Sequence, residues 1–287
     1  MRVDVSSAEP MGRAPWLLSA VMLVAAAMAA ATALAMPDLV HGPAVMVGSM
    51  RGTALVVLAL AVPLVVAAMA AARSGRLLGY VGWIGGVAFI AYQGWMFLFG
   101  VPFNGLFLVY VTMFGCGVWT LAVLLLRVPA GRFAAVFSGA MRTRLLAGWM
   151  VASCLAFYAL WLKNVVPALF ASEAPAFLEG TGMATATNYV LDMALFLPFT
   201  MVVAAQLWRR TAWGQLVAGA MLLMLVLESV AIAADQWFGA AADPASAVAS
   251  AAATPLFLAV AAVGLAALGI WHRGTRPSAA GAGATAA

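Results

Sequence analysis

The sequence predicts an all-α fold, an integral membrane bundle of eight transmembrane helices with both termini cytoplasmic. Three observations predict it. The chain is 66% hydrophobic and only 8% charged, where a soluble domain carries roughly 25% charged residues. Its apolar residues gather into eight continuous runs of about 20, the length that crosses a ~30 Å hydrocarbon core at 1.5 Å per residue. When the chain is threaded through these runs, twelve of its 14 Lys and Arg residues fall on one side, as the positive-inside bias requires. The runs do not alternate over about 10 residues, so they do not read as strands of a barrel.

The first run covers about residues 15–36, after Arg2 and Arg13. With its Ala-Leu-Ala ending near Pro37 it is also compatible with a cleaved signal peptide, although it is longer than the 7–15 residues of a signal core. The second run, about 52–72, follows Arg51 on the outer side and contains Pro63. Arg73 and Arg76 separate it from the third, 77–99, whose Gly79, Gly82 and Gly86 share one face with a single GxxxG spacing and imply close helix contact. The fourth run is about 104–126. The connection from Arg127 to Arg144 is basic and carries Phe133, Val136, Phe137 and Met141 at helical spacing. It suits an ordinary positive-inside loop or a segment lying against anionic lipid. The fifth run is about 144–163 and the sixth 187–207, with Pro198 inside it and Arg209 and Arg210 after it. The seventh spans about 213–235 and the eighth 254–272, followed by Arg273 and Arg276.

The outer side holds only Arg51 and Lys163 among the basic residues, with Asp38, Glu173, Glu179, Asp235 and Asp243. Trp208, Trp213, Trp237 and Trp271 fall at expected helix ends, as interface anchors do. The domain plan is a cytoplasmic segment 1–14, a transmembrane domain 15–272 and a disordered Ala/Gly-rich tail 273–287. No fixed-period repeat and no two-half symmetry of the transporter type stands out.

The net charge of +5 is spread over several short loops, which argues against nucleic acid as a partner. Cys116 and Cys154 lie in apolar runs, so no disulfide framework is expected. His41 and His272 fall at opposite ends of the threading and cannot share a haem or metal; no cofactor is expected. The chain lacks a phosphate-cradling glycine loop, a zinc-protease motif and a serine nucleophile elbow, so the reading leans away from an enzyme.

Ionisable groups at membrane depth are rare and costly, which makes them the default functional candidates. Asp192 lies about four residues below the outer end of the sixth run and Glu228 about seven below that of the seventh, a depth difference of only ~5 Å. A short turn joins these helices, so they are expected to be antiparallel neighbours facing one cavity. If the two carboxylates are close, at least one is expected to be protonated near neutral pH, from desolvation and like-charge repulsion. Gln93, Asn104, Tyr110 and Lys163 fall in the same outer part of the membrane as hydrogen-bonding candidates, along with Tyr92, Tyr158 and Asn188. Lys163, the only lysine, either reaches a carboxylate or snorkels to the headgroups. Pro198 removes a helix hydrogen bond six residues after Asp192 and is a candidate hinge. Against this stands interhelical glue, in which the same groups only fix packing.

Two stretches carry a resemblance. Tyr92-Gln93-Gly94-Trp95-Met96-Phe97-Leu98-Phe99-Gly100, continuing through Phe103-Asn104-Gly105-Leu106-Phe107-Leu108-Val109-Tyr110, and Tyr189-Val190-Leu191-Asp192-Met193-Ala194-Leu195-Phe196-Leu197-Pro198 with Leu207-Trp208-Arg209-Arg210 and Trp213-Gly214, resemble a group of uncharacterised bacterial multi-pass membrane proteins. That group carries a Phe-Asn-x-Leu-Phe-Leu-x-Tyr motif and a Leu-Asp-x-Ala-x-x-Leu-Pro motif. Gln93 stands where the group has Asn. The resemblance covers about a fifth of the chain. It implies that Asn104, Tyr110, Asp192 and Pro198 belong to a shared feature, and it implies no activity.

The functional expectation is therefore a bacterial cytoplasmic (inner) membrane protein that transports or binds a small polar ligand at an outward-facing polar pocket. Its alternative is a non-catalytic scaffold or assembly subunit that meets a membrane-protein partner or another copy of itself. An enzyme acting on lipid at the outer leaflet is a weaker third reading.

Overall fold

The computed structural model describes residues 12–137, 142–173 and 175–275. Arg2, Met141, Arg276 and most of the expected tail lie outside them. Eight helices are long and apolar enough to cross a membrane, and the chain is a multi-pass membrane protein. They are α1 (Arg13–Ala35), α2 (Ala44–Arg73), α3 (Leu77–Phe99), α4 (Phe107–Arg127), α5 (Thr143–Ala168), α6 (Thr187–Trp208), α7 (Ala212–Ala242) and α8 (Thr254–Arg273). In lipid a helix satisfies all its backbone groups internally, which is why apolar composition and helicity go together here.

Helices α3 and α7 form the centre, with 78% and 72% of their apolar stretches buried, against 22% for α5 and 17% for the span containing α8. Around them, α2 packs on both α3 and α7, α4 on α3 and α1, α6 on α7 and α5, and α8 on α7. Small residues set the close approaches. A Cβ on Gly79 would overlap the backbone of Ala71 and Ala72, and one on Gly82 or Gly86 would strike Ala68 or Val65. The glycine face of α3 therefore serves contact with α2 inside the chain.

Three expectations need correction. Helix α2 begins at Ala44, eight residues before the expected start, so Arg51 lies inside the helix. Gly48 and Gly52 are there because their Cα atoms press on the α7 backbone at Phe238 and at Ala234–Asp235. Helix α7 runs on to Ala242, so Asp235 and Trp237 belong to the span. Trp271 is fully buried, not an interface anchor. Its indole donates to the Gln215 carbonyl at 2.7 Å and covers Gly219. Of the connection after α4, residues 128–137 are described. They make a 3₁₀ turn at Ala130–Phe133, and Phe133 and Phe137 tuck against Tyr80 and Trp271.

The helices also carry a two-half repeat that the sequence reading denies. Positions 135 residues apart, as Gln93 and Glu228 are, are equivalent through α2–α3 and α6–α7. Helix α2 holds a π turn at Val57–Ala61 and α6 one at Asp192–Phe196, followed by Pro63 and Pro198 respectively. The helices end at Arg73 and Trp208 and resume at Leu77 and Ala212. The connecting turns place Gly75 and Arg210 in the left-handed region, at φ 68° and 58°. Gly79 meets the backbone of residues 71 and 72, and Gly214 that of 206 and 207. In the outer half α7 carries extra turns, so that α4 and α8 start at Phe107 and Thr254; with that shift Gly117 against Ala91 matches Gly264 against Val226. A cation–π pair closes the inner end of each half, Arg73 over Trp16 and Arg144 over Trp208, with ring and cation exchanged. Four crossings per unit return the chain to the same side, so the two units run parallel.

Candidate functional site

The polar residues of the membrane interior converge on the outer half of α3. The Tyr92 hydroxyl donates to Asp192 Oδ1 at 2.9 Å, and the Trp161 indole of α5 donates to Oδ2 at 3.0 Å. The next residue of α3, Gln93, donates its amide to Glu228 Oε2 at 2.7 Å. Two consecutive side chains of one helix thus hold two carboxylates from two others. The depths match more closely than expected. Asp192 lies sixteen residues above Trp208 and Glu228 sixteen above Ala212, the two ends of the shared inner turn. Each is about 24 Å up its helix at 1.5 Å per residue.

The π turn makes the Asp192 position. The widened turn bonds the Leu197 amide to the Asp192 carbonyl. Continuing it would need an amide hydrogen at residue 198, which proline lacks. The acceptor that hydrogen would have reached, the Met193 carbonyl, instead takes the Tyr158 hydroxyl of α5 at 2.9 Å. Helices α5 and α6 are joined further along. The Cys154 thiol contacts the Leu197 carbonyl at 3.8 Å, Asn164 donates to the Tyr189 hydroxyl at 3.1 Å, and the Trp161 and Tyr189 rings stack 4.3 Å apart. Above Asp192, the Trp95 indole donates to the Thr187 carbonyl at 3.0 Å.

The donors that hold both carboxylates are neutral: a phenol, an indole and an amide. Asp192 is buried and has a donor on each oxygen. Glu228 is half-buried, and its Oε1 has no protein donor among the described residues. Asp235 stands seven residues above Glu228 on nearly the same face of α7.

The remaining sequence candidates are placed as follows. Lys163 is exposed and donates to neither carboxylate. Asn104 is buried but turned to the chain between α3 and α4, donating to the Pro102 carbonyl at 3.1 Å and accepting from the Leu106 amide at 2.9 Å. Tyr110 is buried beside Phe97, and its hydroxyl has no hydrogen-bond partner among the described residues. Sequence reasoning missed Trp161, Trp95 and Asn164 as partners. A signal was present for the first: Cys154, Tyr158 and Trp161 at i, i+4 and i+7 make a polar stripe on an otherwise apolar helix.

The cavities lie elsewhere. A groove of about 490 Å³ runs between α1 and α4 with a nearly wholly apolar lining that includes Val21, Met28 and Leu108. A void of about 30 Å³ lies among α5, α6 and α7, lined by Cys154, Phe196, Thr200 and Met221. Neither touches Asp192 or Glu228. No protein-family model, curated protein or solved structure matches this chain.

Proposed function

We propose that this chain is a transporter-like or ligand-binding protein of the bacterial cytoplasmic (inner) membrane, with its basic ends in the cytoplasm and a small polar ligand as its substrate. Gln93, Glu228 and Asp192 form its polar centre. The observation that carries this reading is the Glu228 carboxylate, midway along a central helix, held by one neutral donor and with one oxygen left for another. A carboxylate at that depth is costly, and packing needs only an amide there. Parallel-repeat transporters bind their ligand at the repeat interface, and the Gln93–Glu228 contact between equivalent positions of the two units supports the same location here. The resemblance to uncharacterised bacterial multi-pass membrane proteins fits the same location and adds no substrate.

The test is proton flux into proteoliposomes loaded with a pH-sensitive dye, across a panel of amino acids, sugars and small amines. Flux that depends on one solute and is lost in Glu228→Gln supports the reading. The same flux in the variant, or no solute-dependent flux with folded protein, overturns it. The alternative, a non-catalytic scaffold or assembly subunit, draws on the wide lipid-facing surfaces of α5 and α8. It predicts specific crosslinks through those two helices.

A further inference from the structure

We infer that α5 and α6 form a hinged arm, which swings on the inner turn at Arg210 and is latched at its outer end by Tyr92–Asp192 and Trp95–Thr187. The hinge follows from helix packing alone, independently of any ligand.

The two units are built alike but clamped differently. In the first, α1 packs along α4, with Met22 against Gly117, and the outer half of α2 packs on α7 through Gly48 and Gly52. In the second, α5 packs extensively on α6 alone among the described residues. Helix α6 begins at Thr187, the position equivalent to Gly52, so it lacks the outer turns that clamp α2. Of the outer contacts of α2 it keeps Thr187 beside Gly100, the counterpart of Gly52 beside Asp235.

The arm itself is stiff, because six polar or aromatic contacts tie α5 to α6 along its length. Its seam with α7 is loose. Met221 and Thr200 flank the void of about 30 Å³, where their counterparts in the first unit, Gly86 and Val65, touch directly. At the inner end, Arg210 takes the left-handed conformation that Gly75 takes in the first unit, a position under strain for a residue with a Cβ. A stiff arm, a loose seam, a strained turn at one end and two hydrogen bonds to α3 at the other make a hinge and a latch.

Cys154 reports the motion, because it is buried in the seam. In a full-length Cys116→Ala background it is the only thiol, and its modification by N-ethylmaleimide follows opening. Tyr92→Phe removes one latch bond and should speed the modification about three- to twentyfold, the span of hydrogen-bond strengths measured in membranes. Trp95→Phe removes the other latch bond, to the Thr187 carbonyl, and should speed the modification likewise. The control is Met22→Cys with both native cysteines replaced by Ala, buried in the clamped unit; Tyr92→Phe should leave its rate unchanged. The arm is refuted if Cys154 responds to neither latch variant, or if Met22→Cys speeds up as much as Cys154.

Discussion

Replacing Asp192 with alanine removes the acceptor for two donors at once, Tyr92 at 2.9 Å and Trp161 at 3.0 Å. In membranes such bonds average about 0.6 kcal/mol and reach about 1.7. Two of them put the cost of Asp192→Ala at about 1–3 kcal/mol. Asp192→Asn keeps one carbonyl oxygen and should lose about half as much. Glu228→Gln differs, since its amide oxygen still accepts from Gln93, and its cost should stay within about 0.5 kcal/mol. The assay is reversible unfolding in mixed micelles, followed by tryptophan fluorescence, with all three variants run beside the wild type. Asp192→Ala within 0.5 kcal/mol of wild type would refute the assignment of Asp192 as an anchor. A Glu228→Gln loss equal to that of Asp192→Ala would refute the separation of the two carboxylates, since both would then be packing groups.

Other variants test single contacts by the same measurement. Arg210→Gly relieves a left-handed backbone and should stabilise the fold by about 1 kcal/mol; a loss instead would mean that the guanidinium is needed at that turn. Gly52→Val drives a side chain into the α7 backbone and should cost at least about 1–3 kcal/mol, with Gly79→Val behaving alike against α2; tolerance of either would contradict the close approach. Tyr158→Phe strips the donor from the Met193 carbonyl and should cost about 0.6 kcal/mol or more, whereas Tyr158→Phe in a Pro198→Ala background should cost less, because an amide hydrogen is then present at residue 198.

The eight crossings were legible because charge and hydropathy speak to the bilayer directly, one residue at a time. Helix ends were less so where packing, not solvent, decides them. Gly48, Ser49 and Arg51 read as lying before the second helix, and only the close approach of the α7 backbone to Gly48 and Gly52 explains a helix there. Asp192, Glu228 and Gln93 were found by depth, which counting residues gives well. Their partners depend on how each helix is rotated about its own axis, which depth does not give. Lys163 and Asn104 fall near the right depth and face elsewhere. The repeat was hidden because its equivalences are geometric. Pro63 and Pro198, and Gly79 and Gly214, keep the residue, but Gly75 answers to Arg210, Arg73 to Trp208 and Val57 to Asp192.

These last equivalences separate the roles of the two carboxylates. Val57 is fully buried and apolar at the start of the same π turn, so the turn itself needs no charge. What the first unit lacks and the second has is an adjacent helix that must be tied to the turn by polar contacts, and Asp192 accepts from that helix through Trp161. Its presence follows from the looser packing of α5. Glu228 has no such explanation. Its equivalent is its own partner, Gln93, and an amide at both positions would bond between the units as well, without the cost of a carboxylate inside the membrane. The acid is the one feature of the contact between the units that packing does not require, and for that reason Glu228, not Asp192, carries the proposed ligand or proton site.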